Sequence, residues 1–346
     1  MRDVRPEMDR WLAAEGRLAR AMVTSVWGSA PRPPGGKMVV APSGALAGSV
    51  SGGCVEGAVV EAAHEVLAGG PPRLLEFGVA DEDAWAVGLS CGGRIEVFVE
   101  AIAAEDEIDR QLSAALAEDR LVAEATVLSG PGVGRKLVLD GAGPLAGGLD
   151  DGPAEAEAGV LARRAFATFD SQRGACGDRL LFVDVHPPRP ELILVGAVHV
   201  AVHLVAFAKA LGFRTVVIDP RSAFATAERF GHADELVVAP PGRALVDRRL
   251  GPGTYLAVLS HDPKIDLPAL AVALRGELRY LGALGSRKTH RKRLAALAEK
   301  GFGSEETATI RAPIGLDLGG RRPEEIAVAI LAEMVAASHG RLTPSR

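Results

Sequence analysis

The sequence predicts an α/β chain in two parts: an α+β domain over residues 1–188, then a doubly wound parallel sheet with helices on both faces over 189–346. Three observations predict it. The 346 residues suit two domains better than one. The segment HPPRPE at 186–191 holds three prolines in four residues, which cannot continue a helix or a central strand and so marks a connector. Immediately after it, the apolar run ELILVG, a helical pattern ending at Leu211, Gly212 and a second run FRTVVIDP read as strand, helix, strand.

Taken in order, the first domain offers strands at RAMVTSVW, KMVVA, RIEVFVEAI, RLVAEATVL and RKLVLD, and amphipathic helices at Val55 to Leu67 and Glu105 to Ala117. Asp140 to Gly159, rich in glycine, alanine and acids, reads as a turn plus a mobile loop, and no internal repeat is visible. In the second domain, ELVVA, TYLAVLS and LRYLGALG alternate with helical stretches after Pro268, Ser286 and Pro323, the pattern of a covered parallel sheet. Pro323 with Glu324 and Glu325 behind it signals a helix start, because acids suit the positive end of the helix dipole.

Composition removes several functions. A formal charge of -5 gives no bulk attraction to nucleic acid or anionic membrane, and no apolar stretch reaches the roughly 18 residues of a membrane span. The charged N-terminus is unlike a signal peptide, so a cytoplasmic location is expected. Cys54, Cys91 and Cys176 are too few and too scattered for a disulfide framework and are expected as reduced thiols.

Chemistry-bearing residues collect in glycine-rich loops. In the first domain these are GSAPRPPGGKM from Gly28, with Arg32 and Lys37; GSVSGGCVEGA from Gly48, with Gly52, Gly53 and Cys54; and GLSCGGRIE from Gly88, with Cys91 and Gly92. Cys54 falls at the start of a helix, where unpaired N–H groups and the dipole favour an anion, so it is a candidate reactive thiolate. The alternative is a small buried hydrophobe at a tight turn. A Cys–His dyad with His64 is disfavoured, because ten helical residues span roughly 15 Å. In the second domain, Gly196 ends the first strand and Asp219 the second, as in a dinucleotide-binding unit. The loop reads Gly196-Ala197-Val198-His199, and Val198 replaces the glycine that lets a pyrophosphate approach, which weakens NAD(P) binding. His261, Asp262 and Lys264 follow a later strand, and Ser286 and Arg287 open a helix as a possible anion cradle or simply as a capped helix.

From GSAPRPPGGKM through VSGGCVEGA and LSCGG to VIDPR, LSHDPKID, LGALGSRKT and APIGLDLGG, the chain resembles the XdhC/CoxI family in both domains. That resemblance implies an N-terminal XdhC/CoxI domain and a C-terminal Rossmann-like XdhC domain. It implies an accessory protein that binds molybdenum cofactor (molybdopterin), protects it during sulfuration by a cysteine desulfurase, and delivers it to an apo molybdenum hydroxylase of the xanthine dehydrogenase type. A non-catalytic insertion chaperone is thus expected rather than an NAD(P)-dependent oxidoreductase with His261 as acid or base, or a nucleotide-binding regulator, using the second domain. Cys54, in the family's GGC-V/I-E motif, becomes the expected contact for molybdenum or the cofactor sulfur, with Cys91 following. The glycine-loop amides with Arg32 or Lys37 are expected at the phosphate, His199, Asp219 and Arg221 fit the family's second-domain loop, and a homodimer is expected.

Overall fold

The structure, a computed structural model, describes residues 1–28, 32–78 and 93–342. The chain divides into two units, Met1–Pro188 and Arg189–Arg346.

The first unit is built twice from one plan. Its first half runs α1 (Arg5–Glu15), β1 (Arg17–Trp27), β2 (Lys37–Val40), β3 (Leu46–Gly48), α2 (Glu56–Leu67), β4 (Arg73–Phe77) and β5 (Arg94–Ala103). Its second half repeats that order as α3 (Glu107–Ala117), β6 (Val122–Ser129), β7 (Lys136–Asp140), β8 (Gly143–Gly147), α4 (Gly152–Thr168), β9 (Gln172–Cys176) and β10 (Arg179–His186). Among the described residues each half forms a five-stranded antiparallel sheet, ordered β3-β2-β1-β5-β4 and β8-β7-β6-β10-β9. The match extends to single atoms. Gly48 (φ +76°) and Gly147 (φ +79°) each turn where a Cβ would lie 2.3 Å from a lysine carbonyl, that of Lys37 and Lys136 respectively.

Two cores follow from this plan. Alternate residues of β1 and β2, such as Ala19, Ala21, Met38 and Val40, pack under Val55, Val59, Ala63 and Val66 of the α2 segment. Ala123, Ala125, Leu137 and Leu139 likewise pack under Ala154, Ala158, Ala162 and Ala165 of α4. The other sheet faces meet through Met22, Phe98, Leu128 and Phe182. Charges also cross between the sheets. Lys37 pairs with Asp184, and reciprocally Lys136 Nζ lies 2.8 Å from Glu100. Arg20 joins Glu100 (2.6 Å) and Glu124. In strand register Arg20 stands opposite Glu100 and Glu124 opposite Asp184, so Arg20 and Glu124 are equivalent positions, as are Glu100 and Asp184. Reciprocal contacts of this kind are the signature of a two-fold interface, here closed within one chain.

The sequence expectation of no internal repeat is therefore corrected at the level of structure. So is the expected loop at Asp140 to Gly159, which forms β8 and opens α4. Asp151 caps that helix by accepting from Ala154 N at 3.2 Å, and Pro153 sits in the first turn, where a missing N–H costs nothing. The alanines and acids that suggested a loop are good helix formers once capped.

The second unit carries a parallel sheet ordered β13-β12-β11-β14-β15, from β11 (Glu191–Val195), β12 (Arg214–Ile218), β13 (Glu235–Val237), β14 (Thr254–Val258) and β15 (Tyr280–Ala283). Leu192 and Leu194 face α5 (His199–Ala210) and α11 (Pro323–Ser338), while Ile193 and Val195 face α8 (Pro263–Ala273) and α9 (Arg287–Ala298). Short helices α6 (Ala227–Phe230), α7 (Pro241–Val246) and α10 (Ser304–Thr307) complete the described elements. The helix expected after Pro268 begins earlier, at Pro263 behind the Asp262 cap, and Pro268 lies inside it. Strand order reverses between β11 and β14, so the crevice at their carboxyl ends is where such a sheet takes a ligand.

Candidate functional site

In the first unit the structure sets Cys54 on an exposed loop just before α2. The second half shows what makes this loop unusual. The same number of residues separates Gly48 from Glu56 as Gly147 from Glu155, so Gly53 corresponds to Gly152 and Cys54 to Pro153. In the second half the helix has already begun at Gly152, whereas in the first it waits until Glu56. Gly52 (φ +81°) and Gly53 (φ +124°) hold backbone conformations that other residues rarely adopt, and they unwind that first turn. The duplicated scaffold thus exchanges one turn of helix for the Gly-Gly-Cys loop in one half only.

The loop is held by Glu56, the last residue of the GGC-V/I-E motif, to which the sequence reading gave no role of its own. Its Oε1 accepts from Ser49 Oγ (2.7 Å), Ser51 N (2.9 Å) and Gly52 N (3.0 Å), and its Oε2 from Ser51 Oγ (2.5 Å) and Gly53 N (2.8 Å). Ser51 Oγ in turn accepts from Cys54 N (3.0 Å) and Val55 N (3.1 Å). Burial raises the Glu56 pKa, but the Ser51 and Ser49 hydroxyls and the Ser51 amide outweigh it, leaving the group at about 2. The amides of Gly52 and Gly53, expected at a ligand phosphate, are committed to this carboxylate. Lys37 is corrected in the same way: it is 1% exposed, bonds Gly35 O at 3.0 Å and pairs with Asp184, so its charge is spent inside the fold. Arg32 is half-buried. Cys91 and Gly92 lie outside the described residues. Among the described residues no group of three or more His, Cys, Asp or Glu side chains is placed to hold a metal ion.

In the second unit the loops at the carboxyl ends of β11, β12 and β14 converge. Gly196 (φ +112°) passes so close to the β14 loop that a Cβ would lie 2.8 Å from Ser260 N. Gly196→Ala is expected to cost about 1–3 kcal/mol through backbone strain and this clash. Urea unfolding followed by the tyrosine signal tests it, since Tyr255 and Tyr280 are the chain's two tyrosines; an unchanged midpoint would refute the close approach.

Asp219 is fully buried and engaged on both oxygens. Oδ2 accepts from Ala197 N at 2.7 Å and Arg221 Nη2 at 2.7 Å, and Oδ1 from Arg221 N and Nε, each at 2.9 Å. Burial opposes its charge, but the Arg221 bonds and the Ala197 amide hold it below the usual carboxylate range. The carboxylate that would accept bonds from a nicotinamide dinucleotide's ribose thus binds its own loop, which joins Val198 as a second reason against that ligand. His199 opens α5, its ring 5.2 Å from that of His203. His261 is exposed with φ +64°, Asp262 caps α8 through Lys264 N at 2.9 Å, and the Lys264 side chain is exposed. Ser286 caps α9 through Thr289 N at 3.2 Å, beside an exposed Arg287. Beneath them runs a buried chain that sequence reasoning missed, Ser260 Oγ to Asp266 Oδ1 and Arg293 Nη2 to Asp266 Oδ2, each at 2.5 Å. Ser260 and Asp266 stand in the LSHDPKID motif, but Arg293 joins them only when α9 packs against α8.

Comparison with known proteins agrees with this architecture. The XdhC and CoxI family profile matches residues 11–78 and the XdhC Rossmann domain profile residues 192–334. A Bacillus subtilis protein named as a probable subunit of xanthine dehydrogenase is 27% identical over 331 residues, 95% of each chain. The Escherichia coli molybdenum cofactor insertion chaperone PaoD is 28% identical over 326 residues, 94% of this chain and 84% of that one. A crystal structure from Bacillus halodurans, described as a xanthine dehydrogenase, superposes with a TM-score of 0.80 at 25% identity, covering 99% of this chain and 97% of the other. With both family profiles matched in order and a fold to fit, the chain belongs to the XdhC/CoxI family.

Proposed function

We propose that the chain is a chaperone that binds molybdenum cofactor at the Cys54 loop and hands it to a molybdoenzyme of the xanthine dehydrogenase type. The observation that carries this reading is the Gly52-Gly53-Cys54 loop, which takes the place of a helical turn in one half of a duplicated scaffold and presents a thiol to solvent. A soft sulfur ligand suits the metal end of such a cargo. The family membership and the name of the Escherichia coli relative support the same cargo. Of the two cations expected at the cargo's phosphate Arg32 remains, because Lys37 is buried in its ion pair. The same reading extends to protection of the cofactor while a cysteine desulfurase acts on it, and to a homodimer as the working form. Among the described residues no helix is long and apolar enough to cross a membrane.

The test is retention. Purified protein is mixed with molybdenum cofactor and desalted, and pterin and molybdenum are measured for the wild type and Cys54→Ser. Wild-type retention close to one equivalent, falling about tenfold in the variant, is expected, since tenfold corresponds to about 1.4 kcal/mol of binding. Equal retention by both proteins sinks the assignment of Cys54.

A further inference from the structure

The Cys54 loop is shaped by a carboxylate of its own chain. Five donors converge on Glu56, namely three loop amides and two serine hydroxyls. Loops that point successive amides at one spot ordinarily collect an anion from solution. Here the anion is the first residue of α2, and a relay runs from Cys54 N to Ser51 Oγ and on to Glu56 Oε2. The carboxylate satisfies amides that precede the helix and have no partner within it.

The second half supplies an internal comparison. Glu155 occupies the position equivalent to Glu56 and accepts from Leu149 N at 2.9 Å, as expected if a glutamate here is part of the shared scaffold. Its helix starts three residues before it, its cap is Asp151, and the position equivalent to Cys54 holds Pro153. One scaffold glutamate therefore has an enlarged task in the half that carries the cysteine.

We propose that Glu56 is the positioning residue for the Cys54 thiol, an internal anion that keeps the Ser49–Cys54 loop in one open geometry for the cargo. This rests on the reading of Cys54 given above. Glu56 touches no cargo. It acts through Ser51 and the loop amides, and removing its charge lets the loop sample conformations in which Cys54 is no longer presented. The expected retention loss is entropic in origin, because a loop that must be ordered on binding lowers affinity.

Three variants test it, with Cys54→Ser alongside. Glu56→Gln keeps the shape but replaces one accepting oxygen with an NH₂ group that cannot accept, so at least two of the five bonds are lost. Glu56→Asp keeps the charge and both acceptors on a shorter stem. Glu155→Gln makes the same chemical change at the equivalent site of the other half. Two quantities are read: hydrogen exchange of the amides of residues 51–54, and retention of molybdenum cofactor after desalting. Glu56→Gln is expected to speed loop exchange about tenfold and lower retention by a similar factor, a change of about 1.4 kcal/mol in each. Glu56→Asp should recover part of both, and Glu155→Gln should leave both at wild-type values.

Wild-type retention in Glu56→Gln overturns the proposal, and so does an equal loss in Glu155→Gln, which would mean a general scaffold effect. Should Glu56→Gln fail to fold, Glu56→Asp with exchange and retention both at wild-type values would support the carboxylate's role, and retention lost with loop exchange unchanged would overturn it. If Cys54→Ser retains the cofactor fully, the thiol reading itself fails and the positioning role with it, even where exchange shows that Glu56 orders the loop.

Discussion

Arg20→Met is expected to destabilise the first unit by about 3–5 kcal/mol, the cost of leaving a buried charge without its partner. The Arg20 side chain is 1% exposed and sits between Glu100 and Glu124, with Lys136 on Glu100 and Lys37 on Asp184 beside them. Three cations thus face three carboxylates in a space closed to water. Burial works against the Arg20 charge, and Glu124 and Glu100 outweigh it, holding the guanidinium pKa well above its ordinary value. Methionine fills much of the volume but leaves three carboxylates to two cations. Trp11, Trp27 and Trp85 all lie in residues 1–188, so tryptophan fluorescence in urea follows this unit. The double variant Arg20→Met/Glu124→Gln restores the count to two and two and should lose less than the single one, a non-additivity expected of residues in one network. A single variant within about 1 kcal/mol of wild type would show that the network is solvated rather than closed.

Acidification is expected to destabilise the same unit well before carboxylates ordinarily protonate, because of His186. Its side chain is 7% exposed, with Nε2 3.2 Å from Asp184 Oδ2. Burial lowers its pKa, Asp184 pulls the other way, and the nearby Lys37 adds to the lowering, leaving it at about 3. Unfolded, the ring takes its proton near about pH 6.5. Between those values the unfolded chain binds one more proton than the folded one, so stability falls as pH drops, by up to about 1.4 kcal/mol per unit. Further down the carboxylates act in the same direction. Burial raises the Glu124 pKa, but Arg20 and Lys136 outweigh it and set it at about 2, and Asp184 is likewise lowered, chiefly by Lys37 against its burial. Stability from these groups is present above the unfolded carboxylate pKa and is lost as pH falls through the folded values. His186→Asn should flatten the urea midpoint between about pH 6.5 and 5 while leaving the steeper loss below about pH 4. An unchanged slope in that variant would assign the effect to other groups.

The hidden duplication shows why part of the fold cannot be read from the chain. Backbone geometry repeats where the backbone needs it, at Gly48 and Gly147, and so do Lys37 and Lys136, and Glu56 and Glu155. Where a position meets its own equivalent across the two-fold contact, like charges would repel and the two residues must instead be complementary. Arg20 therefore has Glu124 as its equivalent, and Arg5, at the same spacing, has Asp109, each pair opposite in charge and bonded together. Self-similarity is erased where a position meets its own equivalent, while off that axis Lys37 and Lys136, and Phe98 and Phe182, repeat within the same contact.

Local information was enough for the second unit's parallel sheet and for the Cys54 loop. Both depend on neighbours in the chain: apolar strands bounded by glycine and proline, and two glycines that unwind one turn of helix. The sequence by itself also determined the family, since the glycine motifs stand in order along both units. Tertiary structure alone decided which charges were available. Lys37 looks like an anion ligand until Asp184, 147 residues away, meets it in a dry interface. Asp219 looks like a ribose acceptor until Ala197 and Arg221 fill both its oxygens. A side chain's identity is written locally, but whether its charge faces water or a partner is set by what packs over it, and burial without a partner is too costly to persist.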